Sequence, residues 1–348
     1  MADLHFSYIN EQKLPLLLQA QNETQAHSHY LVQFLKKENT AFKEHLLKYG
    51  AVLLRGFRVD SIEKFLEIIN ACDLGSHNEY GICTIPRHKL AEGVYVFAEP
   101  FPGDIPVHNE KSYEHDFPTH MYFNCMHAAK TGGHTPLVDG HKLWLSLPED
   151  IQYKLQSKGI LYKRYYYGNS IRHKFIRALD KSLFCKTWMN AFQTNDKNEV
   201  ERTLKKMGHQ FKWTKKGDGL VTQITLPAVR NHPVTGKVVW FNQSNHSNGF
   251  LYHRDFIINS NIKNPFARFI LMHMNILPYV AFYGDGQMIS KLETDIINDT
   301  IARNTVSTAW QEGDVMVVDN YSCLHGKTAH TGSRTILVGL TKDQTHVN

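Results

Sequence analysis

MYFNCMHAAKTGGHTPLVD, residues 121–139, contains two candidate strands with a turn between them. Met121–Met126 is an apolar run of strand length, Gly132-Gly133 predicts a turn, and Leu137–Asp139 predicts a second short strand. Short strands separated by turns begin near Ile105 and recur to the end of the chain. This pattern favours a mainly β protein with helical decoration, built around a jelly roll (double-stranded β-helix).

Further strands are predicted on both sides of this stretch. Ala51–Leu54 is a short apolar run, and Val238–Asn242 follows the turn signal Pro233–Gly236. Late in the chain, Val315–Val318 and Thr335–Leu340 are apolar and of strand length.

Helices are predicted to surround this β structure. Leu31–Tyr49 carries its apolar residues on one side, and Gly50 ends it as a C-terminal glycine does. A second helix is predicted to begin at Asp60, because Glu63 completes a capping-box pattern there.

The domain organisation follows from the absence of a linker. Ser146–Gly159 and Val200–Met207 are predicted helices within a mixed region of about residues 146–226. No Pro-, Gly- or Ser-rich linker divides the 348 residues. The sequence therefore predicts one domain, residues 1–348, with a mixed helical insert at about 146–226.

Composition narrows the class of protein. The chain is 42% hydrophobic and 21% charged, which is typical of a folded protein. Its net charge of +6 is mild, and no nucleic-acid-binding motif accompanies it. The N-terminus lacks a signal-peptide pattern, no apolar run is long enough to span a bilayer, and the five cysteines form no CxxC pair. We therefore expect a cytoplasmic protein that binds neither membranes nor nucleic acids.

The histidines include a candidate metal site. Iron(II) oxygenases commonly hold the metal through two histidines and one carboxylate, and the first pair is usually written His-x-Asp or His-x-Glu. With 21 histidines and 33 acidic residues, about two such pairs are expected by chance. Three occur, at His77/Glu79, His108/Glu110 and His253/Asp255. At most one of them is the iron site, and its context must decide.

Context favours His108/Glu110. An enzyme that uses 2-oxoglutarate needs a cation for the far carboxylate of this cosubstrate, and arginine binds a carboxylate through two hydrogen bonds. Arg334 lies nine residues after His325, so one strand could bring both side chains to one pocket. His108/Glu110 precedes the strand and turn that lead to Thr135, whose hydroxyl could assist.

Longer stretches around these residues resemble a known family. In chain order they are His108–Tyr113 (HNEKSY), Gly132–Asp139 (GGHTPLVD), Val239–Gln243 (VWFNQ), Tyr283–Gly286 (YGDG), Trp310–Asp314 (WQEGD), Asp319-Asn320, His325-Gly326 and Gly332–Arg334 (GSR). The ensemble resembles the taurine dioxygenase (TauD/TfdA) family of Fe(II)/2-oxoglutarate oxygenases. Within that family it is most similar to the branch of clavaminate synthase and the syringomycin-type amino-acid hydroxylases.

This resemblance implies a catalytic set and its cofactors. His108, Glu110 and His325 would bind Fe(II), while Thr135 and Arg334 would bind 2-oxoglutarate. O2 would be the second cosubstrate. Oxidative decarboxylation of 2-oxoglutarate to succinate and CO2 would accompany hydroxylation of an aliphatic C–H bond.

The implied substrate is a small amino-acid-like molecule, free or attached to an acidic carrier protein. Asn124, Trp240 and Asn242 are candidate substrate contacts, although a packed core accounts for them equally well. The segment Tyr162–Arg177 mixes basic and aromatic residues, which suits an anionic partner but also an ordinary solvated face.

Other interpretations stay open. His330 is an alternative to His325 as the distal ligand. The same fold could serve a sulfonate or aryloxy-acid dioxygenase, or a metal-binding jelly roll without catalysis. A zinc hydrolase with the same three ligands would have no use for Arg334.

Overall fold

The structure is a computed structural model that describes residues 4–80, 87–97, 103–171, 173–174, 187–214, 218–252, 265 and 279–343. Its helices are α1 (Ser28–Lys37), α2 (Asn39–Tyr49), α3 (Ile62–Cys72), α4 (Gly140–Ser146), α5 (Glu149–Lys158), α6 (Trp188–Phe192), α7 (Lys197–Lys206), α8 (Ser244–Tyr252) and α9 (Lys291–Asn304). Its strands are β1 (Phe6–Tyr8), β2 (Leu16–Gln19), β3 (Ala51–Arg55), β4 (Ser76–His77), β5 (Arg87–Ala91), β6 (Val94–Phe97), β7 (Ile105–His108), β8 (His120–His127), β9 (Thr131–Gly132), β10 (Thr135–Asp139), β11 (Ile160–Tyr166), β12 (Gln210–Trp213), β13 (Leu220–Leu226), β14 (Val229–Asn231), β15 (Val238–Trp240), β16 (Tyr279–Tyr283), β17 (Thr305–Thr308), β18 (Val315–Asp319), β19 (Cys323–Lys327), β20 (His330–Thr331) and β21 (Thr335–Lys342).

Two sheets form the centre of the fold. The larger has the strand order β1-β2-β3-β18-β8-β21-β6-β5, with β4 against β21, and the smaller has the order β17-β10-β19-β7. Each predicted strand lies within an observed one except Val238–Asn242, because β15 ends at Trp240. The sequence prediction of a sheet-rich protein with helices is therefore confirmed.

Alternation along β8 shows how the layers are arranged. Met121 and Phe123 pack with Leu137 of the smaller sheet, so this face of β8 lies between the two sheets. Tyr122 points the opposite way and packs with Leu35 and other side chains of α1 and α3. Successive strand residues face opposite sides, so one short apolar strand contributes to two cores.

The N-terminal helices differ in detail from the prediction. Glu38 separates α1 from α2, so the predicted single helix is two. Gly50 ends α2 as predicted, with a φ of 78°. The predicted start of the helix at Asp60 is two residues too early: α3 begins at Ile62, and the hydroxyl of Ser61 caps it by accepting from the Lys64 amide.

The region of residues 146–226 contains strands as well as helices. Its strands β11, β12 and β13 belong to a four-stranded antiparallel sheet. The fourth strand of this sheet, β16, comes from outside the region. The predicted helices Ser146–Gly159 and Val200–Met207 correspond to α5 and α7. None of the helices in the described ranges is long and apolar enough to cross a membrane.

Candidate metal centre

Two neighbouring strands of the smaller sheet place the predicted histidines side by side. His108 is the last residue of β7, and His325 of β19 is its partner across the antiparallel ladder. The ladder register is irregular between His325 and Lys327. A pairing between strands far apart in the chain thus brings the two imidazoles together.

The third predicted ligand lies in the loop that follows β7. Glu110 is buried, and Asn320 hydrogen-bonds its main chain on both sides. The side chain of Asn109 donates in turn to the Asn320 carbonyl at 2.8 Å. These contacts tie the Glu110 loop to the segment between β18 and β19.

The three side chains have the geometry of a metal site. His108 Nε2 and His325 Nε2 each lie 3.7 Å from Glu110 Oε2, which is too long for a hydrogen bond. Two ligand atoms bound at about 2.1 Å to one ion can be up to about 4.2 Å apart. Among the residues described, these are the ones whose ligand atoms converge in a group of three. The donor set therefore fits a divalent metal with open positions for other ligands.

The protonation states also suit a metal. His108 Nδ1 lies 2.8 Å from the Pro106 carbonyl, which can only accept, so Nδ1 carries a proton and Nε2 is the ring nitrogen left for a metal. Burial lowers the pKa of His325 to about 4, which keeps its imidazole neutral at pH 7. Burial acts to raise the pKa of Glu110, but His108, His325 and the charge of Arg87 outweigh it and hold that pKa well below its usual range. A carboxylate and two neutral imidazoles are the forms that bind metal.

The residues predicted to bind 2-oxoglutarate also lie near one another. Thr135 is buried and its Oγ1 accepts from Trp310 Nε1 at 3.1 Å. Arg334 Nε donates to the Gly133 carbonyl at 2.9 Å, and Arg334 and Trp310 line one cavity. No carboxylate of the described segments lies within ion-pair distance of Arg334. Its guanidinium is therefore available to an anionic ligand.

The competing pair His77/Glu79 does not assemble a metal site. His77 Nε2 lies 3.0 Å from the side chain of Asn70, while Glu79 pairs with Lys89. His253 and Asp255 lie outside the described residues.

His330, the alternative distal ligand, is not part of the converging group either. Its Nδ1 lies 3.3 Å from Lys327 Nζ. His325 is thus the histidine that faces Glu110.

The three candidate substrate contacts lie in packed interior. Asn124 Nδ2 donates to the carbonyls of Val59 and Asp314, on the helix-facing side of β8 and away from His325. Trp240 Nε1 donates to the Asn242 carbonyl, and Asn242 Nδ2 donates to the Ala228 carbonyl. The structure thus brings none of them into the converging group, and these bonds match the packed-core interpretation.

The basic segment is less exposed than predicted. The guanidinium of Arg164 lies 3.8 Å above the ring of Tyr113, and the residue is half-buried. Lys163 and Lys174 are exposed, whereas Arg172 and Arg177 lie outside the described residues. The segment therefore does not present all its cations on one surface.

Two residues beside the centre were missed at the level of sequence. Arg87 Nη2 lies 4.0 Å from Glu110 Oε2, and the His246 ring lies 6.0 Å from that of His108. Burial, with His108 and Arg164 nearby, lowers the pKa of His246 to about 3. Neither residue belongs to a short motif, so no signal in the sequence marks them.

Comparisons with known proteins identify the family of the chain. The family model described as taurine catabolism dioxygenase TauD, TfdA family matches residues 13–341. The dapdiamide synthesis protein DdaC of Enterobacter agglomerans is 29% identical over 300 residues, which are 85% of this chain and 83% of that protein. A clavaminate synthase-like protein of Arabidopsis thaliana is 27% identical over 324 residues, 89% of this chain and 87% of that one.

Solved structures share the fold at low sequence identity. The PvcB protein of Pseudomonas aeruginosa superposes with a TM-score of 0.51 at 14% identity, covering 95% of this chain and 86% of that one. AAD-2 in complex with Mn(II) and N-oxalylglycine superposes with a TM-score of 0.52 at 10% identity, covering 99% and 100%.

Proposed function

The chain belongs to the TauD, TfdA family and is a 2-oxoglutarate-dependent, non-haem iron dioxygenase, and from this premise we propose that it hydroxylates an aliphatic C–H bond of a small amino-acid-like molecule. Its cofactors are Fe(II) and 2-oxoglutarate, with O2 as the second cosubstrate. The observation that carries the residue assignment is the convergence of His108, Glu110 and His325. The two facing sheets further support a jelly roll that forms one domain with the insert.

The proposed roles follow from the positions of the side chains. When bound, Fe(II) and 2-oxoglutarate supply the oxidising chemistry. His108, Glu110 and His325 hold the metal from one side, so that the remaining positions face the ligands. The ring of Phe123 packs 5.0 Å from that of His325 and shields it from water.

Arg334 and Thr135 are proposed to hold the cosubstrate. The guanidinium of Arg334 offers two parallel donors to the far carboxylate, as arginine does in buried anion sites. Burial lowers the pKa of Arg334 to about 10, so it remains charged at neutral pH. Trp310, which lines the same cavity as Arg334, donates to the hydroxyl of Thr135.

The proposal of an amino-acid-like substrate is supported by the names of two sequence relatives. One relative is named for dapdiamide synthesis and another for likeness to clavaminate synthase. If the substrate is attached to an acidic carrier protein, the side chains of Lys163 and Lys174 would contact that carrier.

A panel of candidate substrates tests the proposal. The purified protein is supplied with Fe(II), 2-oxoglutarate and O2, and succinate formation is measured with free amino acids, carrier-loaded amino acids, taurine-like sulfonates and aryloxy acids. Stimulation by amino acids, free or loaded, is expected. Stimulation only by sulfonates or aryloxy acids would replace the amino-acid proposal with a dioxygenase of those acids.

A further inference from the structure

Arg87 lies beside the metal centre in an enclosed setting. It is the first residue of β5, and its guanidinium carbon lies 4.2 Å from the ring centre of Tyr80 and 4.7 Å from that of Phe97. Its side chain is only 11% exposed. Aromatic rings hold a guanidinium by its faces, so its N–H groups can donate only along its edge.

The edge of this guanidinium is incompletely bonded. Nη2 lies 4.0 Å from Glu110 Oε2, beyond hydrogen-bond distance. Nη1 is buried and has no hydrogen-bond partner within the part of the chain that the structure describes. An unpaired buried cation is unfavourable, so this arrangement suits a ligand that accepts hydrogen bonds.

A count of charges indicates the sign of that ligand. Fe(II), one Glu110 carboxylate, two neutral imidazoles and the dianion 2-oxoglutarate together carry one negative charge. On the proposed assignment, Arg334 balances it. The nearby Lys111 and Glu114 pair with each other at 3.2 Å, and Arg164 acts on the same carboxylate as a further cation. Positive charge that includes Arg87 is then left over, and a further anionic group would balance it.

We infer that Arg87 binds a carboxylate of the primary substrate next to the metal, at a site distinct from that of 2-oxoglutarate. Two donors along one guanidinium edge match the two oxygens of a carboxylate. The inference deepens the proposed function, on which its choice of substrate rests. It specifies an amino acid with a free carboxylate, because attachment to a carrier as a thioester removes that charge.

Binding of acetate tests the inference without any assumption about the reaction. The protein is loaded with Mn(II) and saturating N-oxalylglycine, which occupies the 2-oxoglutarate position. Paramagnetic relaxation of the acetate methyl protons then reports only acetate close to the metal. Saturable enhancement is expected with acetate and none with the neutral analogue acetamide.

Three variants assign this binding to Arg87. Arg87→Gln should weaken acetate at least about tenfold, because it removes the charge and one side of the fork. Lys89→Gln, an exposed neighbour on the same strand, should leave acetate binding unchanged. If Arg87→Gln does not retain Mn(II), Arg87→Lys keeps the charge but not the fork, and weaker acetate binding is again expected.

The outcomes distinguish a carboxylate-binding role of Arg87 from a role in which it only positions Glu110. If Arg87 serves only to hold Glu110, its variants will change Mn(II) affinity and leave acetate affinity unchanged, which overturns the inference. Arg87-dependent acetate binding with no amino acid stimulating succinate formation supports the site and refutes the proposed substrate. Stimulation by amino acids with acetate binding that ignores Arg87 supports the proposed function and refutes the site.

Discussion

The side-chain amide of Asn320 holds the main chain of Glu110 from both sides. Its Oδ1 accepts from the Glu110 amide at 2.7 Å, and its Nδ2 donates to the Glu110 carbonyl at 3.0 Å and to the Pro118 carbonyl at 2.7 Å. Asn320 is fully buried. It is therefore a positioning residue for the proposed metal-binding carboxylate, although it touches no ligand itself.

Replacing Asn320 should weaken both the fold and the metal site. Asn320→Ala leaves buried groups of Glu110 and Pro118 unpaired, so the free energy of unfolding should fall by about 2–4 kcal/mol. Metal affinity should fall about ten- to a hundredfold, as for other residues that orient ligands. Urea unfolding and anaerobic Fe(II) titration measure the two effects.

The isosteric variant Asn320→Asp helps to separate the effect on stability from the effect on metal affinity. It keeps the volume but cannot donate to the carbonyls of Glu110 and Pro118, so metal affinity should fall here too. Native metal affinity in both variants, despite lower stability, would show that Asn320 is only structural.

Arg334 should control the affinity for 2-oxoglutarate. Losing one partner of a buried charge pair costs about 2–5 kcal/mol, so Arg334→Ala should need at least tens of times more cosubstrate for half-maximal rate. Arg334→Lys should also weaken it, because lysine lacks the planar fork. Arg58→Lys, in an exposed pair with Glu23, is the matched control. An unchanged apparent affinity for 2-oxoglutarate in Arg334→Ala would remove this role.

His209 should make stability fall in mild acid. Burial, followed by the charges of Arg164 and His115, lowers the pKa of His209 from 6.5 to about 4. The unfolded chain therefore takes up a proton first as the pH falls. The stabilisation is complete above pH 6.5 and is lost as the pH falls towards about 4.

A matched variant isolates this effect. His209→Phe should lose less stability than the unaltered protein between pH 7.5, which lies above the window just derived, and pH 4.5, which lies near its lower end. Urea unfolding midpoints at the two pH values measure it. An equal loss in both proteins would mean that His209 does not contribute.

The sequence pattern was sufficient to predict those strands and helix ends that depend on neighbouring residues in the chain. The apolar runs at Met121–Met126 and Val315–Val318 became strands, and Gly50 ended a helix, because these depend on a few adjacent side chains. The motif around His108 and the order of motifs after it sufficed to predict the family.

Contacts between segments that are far apart in the chain could not be predicted from the sequence. Asn124 was a candidate substrate contact because it interrupts an apolar strand, but adjacent strand residues face opposite sides and sequence does not show which side holds the site. Arg87 meets Glu110, and Asn320 meets the same loop, only after the sheets have formed. Neither contact can be predicted from the spacing of these residues along the chain.

Anaerobic Fe(II) titration of the metal-free protein tests whether His108, Glu110 and His325 form the Fe(II) site. The unaltered protein should bind one Fe(II) per chain. His108→Ala and His325→Ala should each lose affinity by about a hundredfold or more, because a three-residue set has no spare ligand. His77→Ala, from a His-x-Glu pair that forms no cluster, should bind Fe(II) as the unaltered protein does. Loss of Fe(II) in His77→Ala with retention in His108→Ala would show that His108 is not a ligand of the metal.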